Sequence, residues 1–162
     1  MSSRAVVKYQ VTAAVRACEG KKAEDITILQ LDKNAGAFTD YFVICSGTNP
    51  RQIQAIGDDV RERLRIAGLH PVSTEGYNQA EWILLDYVDF VVHIFSEKAR
   101  KFYDLERLWK SAKRLSSGEL LLPEKKKPAR AKTARRPAGR SKVRARRSSA
   151  TASKKRISRK KK

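Results

Sequence analysis

A break in composition after Leu122 limits where this chain can build a core. The 162 residues hold 36 Lys and Arg against 17 Asp and Glu, a net charge of +19. Residues 1–122 carry 17 of the basic and 16 of the acidic groups, so residues 123–162, with 19 basic and one acidic, account for +18. The basic stretch has no aromatic residue, and its only branched aliphatics are Val143 and Ile157. A segment with so little apolar area to bury cannot offset its ordering entropy while like charges repel along it. This composition predicts a disordered basic tail over 123–162 and a fold confined to what precedes it.

The tail clusters Lys125-Lys126-Lys127, Arg144-Ala145-Arg146-Arg147 and Arg159-Lys160-Lys161-Lys162 are suited to neutralising phosphates. The expected role is close to nucleic acid, ribosomal RNA foremost. The plainer alternative is a solubilising extension that attracts polyanions of any kind, and an acidic membrane surface is disfavoured because the tail has no apolar anchor.

The first part is long enough for one core and short for two domains. Its two cysteines, Cys18 and Cys45, have no neighbouring Cys or His at zinc-site spacing and are expected to be buried, reduced thiols. No run approaches the ~18 apolar residues of a membrane helix, and no apolar signal core opens the chain. A cytoplasmic protein without membrane association is expected.

Val7, Val11, Ala14, Val15 and Cys18 recur at helical spacing and stop before Gly20. Residues 26–31 (ITILQL) read as a strand ending in the turn-like Asp32-Lys33-Asn34-Ala35-Gly36. Residues 41–45 (YFVIC) form an unbroken apolar run, the pattern of a strand covered on both faces. Asn49 and Pro50 are suited to N-cap and first-turn positions of a helix carrying Ile53, Ile56, Val60 and Leu64, terminated near Gly68. The strand-helix order implies a crossover. Residues 81–85 and 87–95 read as further strands, with a bend and hairpin at Asp86. In extended form Val88, Phe90, Val92 and Ile94 make a core face, and Tyr87, Asp89, Val91, His93 and Phe95 a mixed face expected near an edge, an interface or a site. A helical stretch from Ser96 and Glu97 through Leu105, Leu108 and Trp109 is expected to wrap back onto the sheet. The pattern fits a layered α/β domain over about residues 4–115.

Several fragments invite enzyme readings. Ser46-Gly47-Thr48 sits where a strand-to-helix turn binds phosphate, yet lacks P-loop spacing and its Lys, so a capped turn is the better reading. Cys45, His93 and Asp89 include the residue types of a nucleophilic triad without a nucleophile motif. Asp86 and Asp89 would bind magnesium only if a bend overcame their opposite strand directions. Asp89 and His93 share a strand face and are candidates for a charge-assisted pair. Trp82 and Tyr77 divide between internal packing and an exposed protein-binding anchor.

Taken together, residues 39–48 (TDYFVICSGT), Glu75-Gly76, residues 82–86 (WILLD), residues 88–95 (VDFVVHIF) and residues 103–109 (YDLERLW) resemble the ribosomal silencing factor, or Iojap-like, family. The ordered combination spans about residues 7–110 and is specific as a set. The resemblance implies a small mixed sheet flanked by helices, related in architecture to nucleotidyltransferases without working as one. It implies binding to the large ribosomal subunit through ribosomal protein fourteen, steric blocking of small-subunit joining, and repression of translation when nutrients are scarce. No metal or cofactor is implied, and a homodimer of the free protein is admitted. The implied contact region is Trp82 as apolar anchor, Ile83 or Leu84 as added buried area, and Asp86, Asp89 and His93 as polar contacts. The long basic tail departs from the compact family pattern. The competing readings are a magnesium-dependent nucleotidyltransferase and a general RNA-binding module that acts through the tail.

Overall fold

The structure is a computed structural model that describes residues 3–121; the tail expected over 123–162 lies outside the described residues. The described chain is an α/β fold built on one six-stranded mixed sheet. In chain order the strands are β1 (Glu24–Gln30), β2 (Tyr41–Gly47), β3 (Ser73–Glu75), β4 (Trp82–Asp86), β5 (Phe90–Ser96) and β6 (Lys113–Leu115), arranged β3-β4-β5-β2-β1-β6 across the sheet. The central β2 and β5 run parallel and the other pairings are antiparallel. Helices α1 (Ser3–Gly20) and α2 (Pro50–Ile66) cover one face, joined by Leu120 of the short α5 (Ser117–Leu121). The short α3 (Glu97–Tyr103) and α4 (Leu105–Leu108) contribute Ala99 and Leu105 to the cluster on the other face. Among the described residues no helix is long and apolar enough to cross a membrane.

Local chemistry explains the best-defined elements. The Asn49 side chain accepts from Gln52 N at 2.9 Å, satisfying a free donor of the first turn, and Pro50 takes the first helical position. Ile53, Ile56, Val60 and Leu64 then fall on one buried stripe of α2, each worth about 1.5–3 kcal/mol of transfer free energy. Every residue of β2 is buried, as its unbroken apolar run requires of a central strand with helices on both sides. Alternation sends Tyr41, Val43 and Cys45 toward α1 and α2, and Phe42 and Ile44 toward α3 and α4.

The hairpin at Asp86 forms, but its apex differs from the expected extended strand. The Asp86 carboxylate accepts from Val88 N at 2.7 Å, and Val88 takes a positive φ of 71°. Residues 87–89 therefore leave the sheet. Val88, expected in the core, is 60% exposed, while Tyr87, expected on the mixed face, is buried against Phe90 with ring centroids 4.9 Å apart. The turn breaks the period-two pattern because its residues no longer alternate across a ladder. The helix expected to run through Trp109 is broken at Asp104, whose φ of 43° ends α3 before α4 begins.

Candidate functional site

The sheet face under α3 and α4 gathers aromatic rings from four parts of the chain. Register places Trp82 on β4 opposite Phe95 on β5, Leu84 opposite His93, and His93 beside Ile44 on β2. Side chains two residues apart on neighbouring strands come within reach of each other. The Trp82 indole accordingly stacks on Phe95 at 5.0 Å and donates through Nε1 to His93 Nδ1 at 3.1 Å. Tyr103, the last residue of α3, lies 4.6 Å from the indole, and Phe42 meets His93 edge-on at 4.7 Å. Trp109 packs edge-on against Phe42, and Phe38 flanks the same ring.

This face is incompletely covered. Trp82 and Leu84 are half-buried, Tyr103 is half exposed, and Phe38 and Phe102, which flank Phe42 and Tyr103, are 70% and 80% exposed. Isolated exposed apolar residues are ordinary, but several large ones around a half-buried Trp form the aromatic surface that protein interfaces favour. One end of the sheet adds acidic groups. Asp40 N donates to Asp89 O at 2.9 Å, which brings those residues together, and Asp86 sits at the adjoining hairpin. Lys33 pairs with Asp40 at 3.1 Å.

The six residues singled out from sequence separate by face. Trp82, Leu84 and His93 lie together on the aromatic side, with Asp86 and Asp89 at its acidic end. Ile83 is fully buried on the opposite side, in the cluster beneath α1 and α2; the two-residue period of β4 excludes it from any surface that Trp82 presents. The expected Asp89–His93 pairing is replaced by the Trp82–His93 bond. Sequence reasoning did not assign Phe38, Phe42, Phe102, Tyr103 or Trp109 to the site. Tyr103 and Trp109 belonged to a family-like fragment, but only the return of α3 and α4 onto the sheet brings them there.

His93 is buried and neutral. Because Nδ1 accepts from Trp82, the ring proton sits on Nε2, which is buried without a hydrogen-bond partner among the described residues. Burial lowers the imidazole pKa to about 4. The folded state thus binds fewer protons than the unfolded chain between about pH 6.5 and 4. The stabilisation from keeping His93 neutral is complete above pH 6.5 and declines as pH falls toward the folded value, by about 3 kcal/mol at pH 4. Urea midpoints measured from pH 7.5 to 4.5 should show this loss, and His93→Gln, which accepts from Trp82 without titrating, should flatten that component. An identical acid profile in the variant would remove His93 from the explanation.

The glycine turn after β2 is a closed cap rather than an open phosphate cradle. Thr48 N donates to Gln52 Oε1 at 2.8 Å, Gln52 N is held by Asn49, and Ser46 Oγ accepts from Arg100 at 3.0 Å. A side chain at Gly47 would meet Ile53 Cγ1 at 2.7 Å. Among the described residues no group of three or more His, Cys, Asp or Glu is arranged to hold a metal ion.

Comparison with known proteins agrees with the family-like fragments. Residues 4–154 match the family model described as ribosomal silencing factor during starvation. A ribosomal silencing factor from Bacillus subtilis is 36% identical over 112 residues, covering 69% of this chain and 91% of that protein. Another from Halalkalibacterium halodurans is 39% identical over 99 residues, covering 61% of this chain and 84% of that protein. The crystal structure of a Chromobacterium violaceum protein aligns with a TM-score of 0.61 at 31% identity, over 67% of this chain and 88% of that one. The family model covers most of the sequence, and the chain belongs to the ribosomal silencing factor family.

Proposed function

We propose that this protein represses translation by binding the large ribosomal subunit through ribosomal protein fourteen and sterically blocking the small subunit from joining. Family membership supports the silencing role. The observation that carries the contact is the half-buried Trp82 among partly exposed aromatics, with Asp86, Asp89 and Asp40 at one end. A basic ribosomal protein would bury its apolar side chains against Trp82, Leu84, Tyr103 and Phe38 while its cations meet the acidic end. The aromatic core of such a contact would set residence time and the charges would set encounter and orientation. In this reading the layout is nucleotidyltransferase-like without nucleotide chemistry, the protein works in the cytoplasm, and the free chain hides the aromatic face in a homodimer.

The tail over 123–162 has a separate part. Its charge of +18 would engage ribosomal RNA and strengthen residence on the subunit without choosing the surface. The general RNA-binding reading also rests on that tail, and truncation separates the two. In a purified subunit-joining assay, the chain ending at Leu122 should retain the block with reduced potency and a shallower salt dependence. Trp82→Ala should weaken the block roughly 30-fold, the effect of losing about 2 kcal/mol at an interface hot spot. Full potency for Trp82→Ala in a correctly folded protein would exclude this face. Loss of all binding on tail removal would favour the RNA-binding reading.

A further inference from the structure

The chain's two cysteines, Cys18 and Cys45, take no part in the aromatic face. Cys18 lies on α1 and Cys45 on β2, directed to the side beneath α1 and α2. Both are fully buried, and their sulfurs touch at 3.8 Å across 27 residues of sequence. We infer that Cys18 and Cys45 form a latent cross-link, a dithiol that hydrogen peroxide converts into an intramolecular disulfide joining α1 to β2.

The chemistry balances in two steps. One thiol attacks the peroxide O–O bond, becoming a sulfenic acid and releasing one water. The second thiol displaces that hydroxyl, forming the S–S bond and releasing another water. The sulfur pair loses two electrons, which reduce the peroxide. The sulfurs must close from 3.8 Å to the ~2.05 Å of a disulfide, which requires rotation of both side chains and a small approach of α1 to the sheet.

The surroundings favour this product over a soft-metal site. A metal would require thiolates in an apolar cluster that includes Val15, Val43 and Ile56, where uncompensated charge is costly. A disulfide is neutral. The adjoining Cys45 thiol and then burial raise the Cys18 pKa well above its ordinary range, so Cys18 remains a protonated, poor nucleophile at neutral pH. Oxidation is therefore slow in the closed fold and paced by local opening of α1. Once formed, the bond closes a loop between α1 and β2 and raises thermal stability.

The test uses the full chain, treated with hydrogen peroxide, then alkylated in denaturant and digested. The expected result is a monomer lighter by two hydrogens, with the Cys18 peptide joined to the Cys45 peptide and both sulfurs unavailable to alkylation until dithiothreitol is added. Its Tm should rise by several degrees relative to the reduced protein. Cys18→Ala should lose both the linked peptide and the shift, although wild-type peptide mapping decides the matter without a variant. Two alkylated thiols after peroxide treatment, oxygen added to separate sulfurs, or a disulfide between two chains would each overturn the inference.

Discussion

Gly76→Ala should destabilise the protein by about 4 kcal/mol and displace the start of β4. Gly76 follows β3 with a φ of 71°, and a Cβ there would lie 1.9 Å from the Trp82 carbonyl oxygen. That oxygen belongs to the backbone of a paired strand, so no side-chain rotation relieves the clash. The left-handed conformation adds about 1 kcal/mol, and forced movement of packed backbone supplies the remainder. Gly68→Ala is the matched control. Gly68 also has positive φ, at 79°, but a Cβ there meets nothing within 4 Å, so it should cost about 1 kcal/mol. Urea denaturation of both variants checks the difference, and near-UV circular dichroism should show a changed Trp82 environment only for Gly76→Ala. Equal losses in the two variants would eliminate close backbone approach as the cause.

Arg100→Ala should be comparably damaging, at about 4 kcal/mol, by a different route. Arg100 on α3 donates through Nε to Glu106 Oε1 at 3.1 Å, through Nη1 to Ser46 Oγ at 3.0 Å and through Nη2 to Thr27 Oγ1 at 3.2 Å. Its planar fork thereby ties α3 and α4 to β1 and β2. Both charged side chains are largely enclosed, with 13% and 16% exposure. Removing the cation leaves Glu106 enclosed without its partner, whereas replacing both groups with apolar side chains removes the charge to be solvated. Arg100→Met with Glu106→Leu should therefore recover much of the loss from Arg100→Ala. Arg100→Lys should recover less because one ammonium cannot reproduce the forked geometry. Denaturation of the single and double variants measures the coupling, and additive losses would contradict the paired-charge explanation. Loosened α3 should also move Tyr103 away from Trp82 and weaken subunit binding in the proposed mechanism.

These two positions show different degrees of legibility. Gly76 stood in a family-like fragment, but its need for glycine arises from the Trp82 carbonyl across a loop. Arg100 read as part of a polar helix; its partners Ser46 and Thr27 are 54 and 73 residues away. The three-residue strands β3 and β6 carried no usable periodic signal because so short a run samples barely one alternation. The hairpin apex at Val88 and the break at Asp104 carry no sequence signal because each places a non-glycine residue at positive φ through surrounding contacts.

What the sequence determined by itself was local or summed along the chain. It specified the charge break after Leu122, the Asn49-Pro50 cap, the buried stripe of α2, the enclosed strand β2 and the family-like fragments. These features depend on spacing and composition over a few turns or one strand. Tertiary structure alone decided that Ile83 faces away from Trp82, that His93 bonds to Trp82 rather than Asp89, and that aromatics from Phe38 to Trp109 meet on one face. Those outcomes depend on strand register and on the return of α3 and α4 to the sheet, where residues distant in sequence compete for the same space and hydrogen-bonding groups.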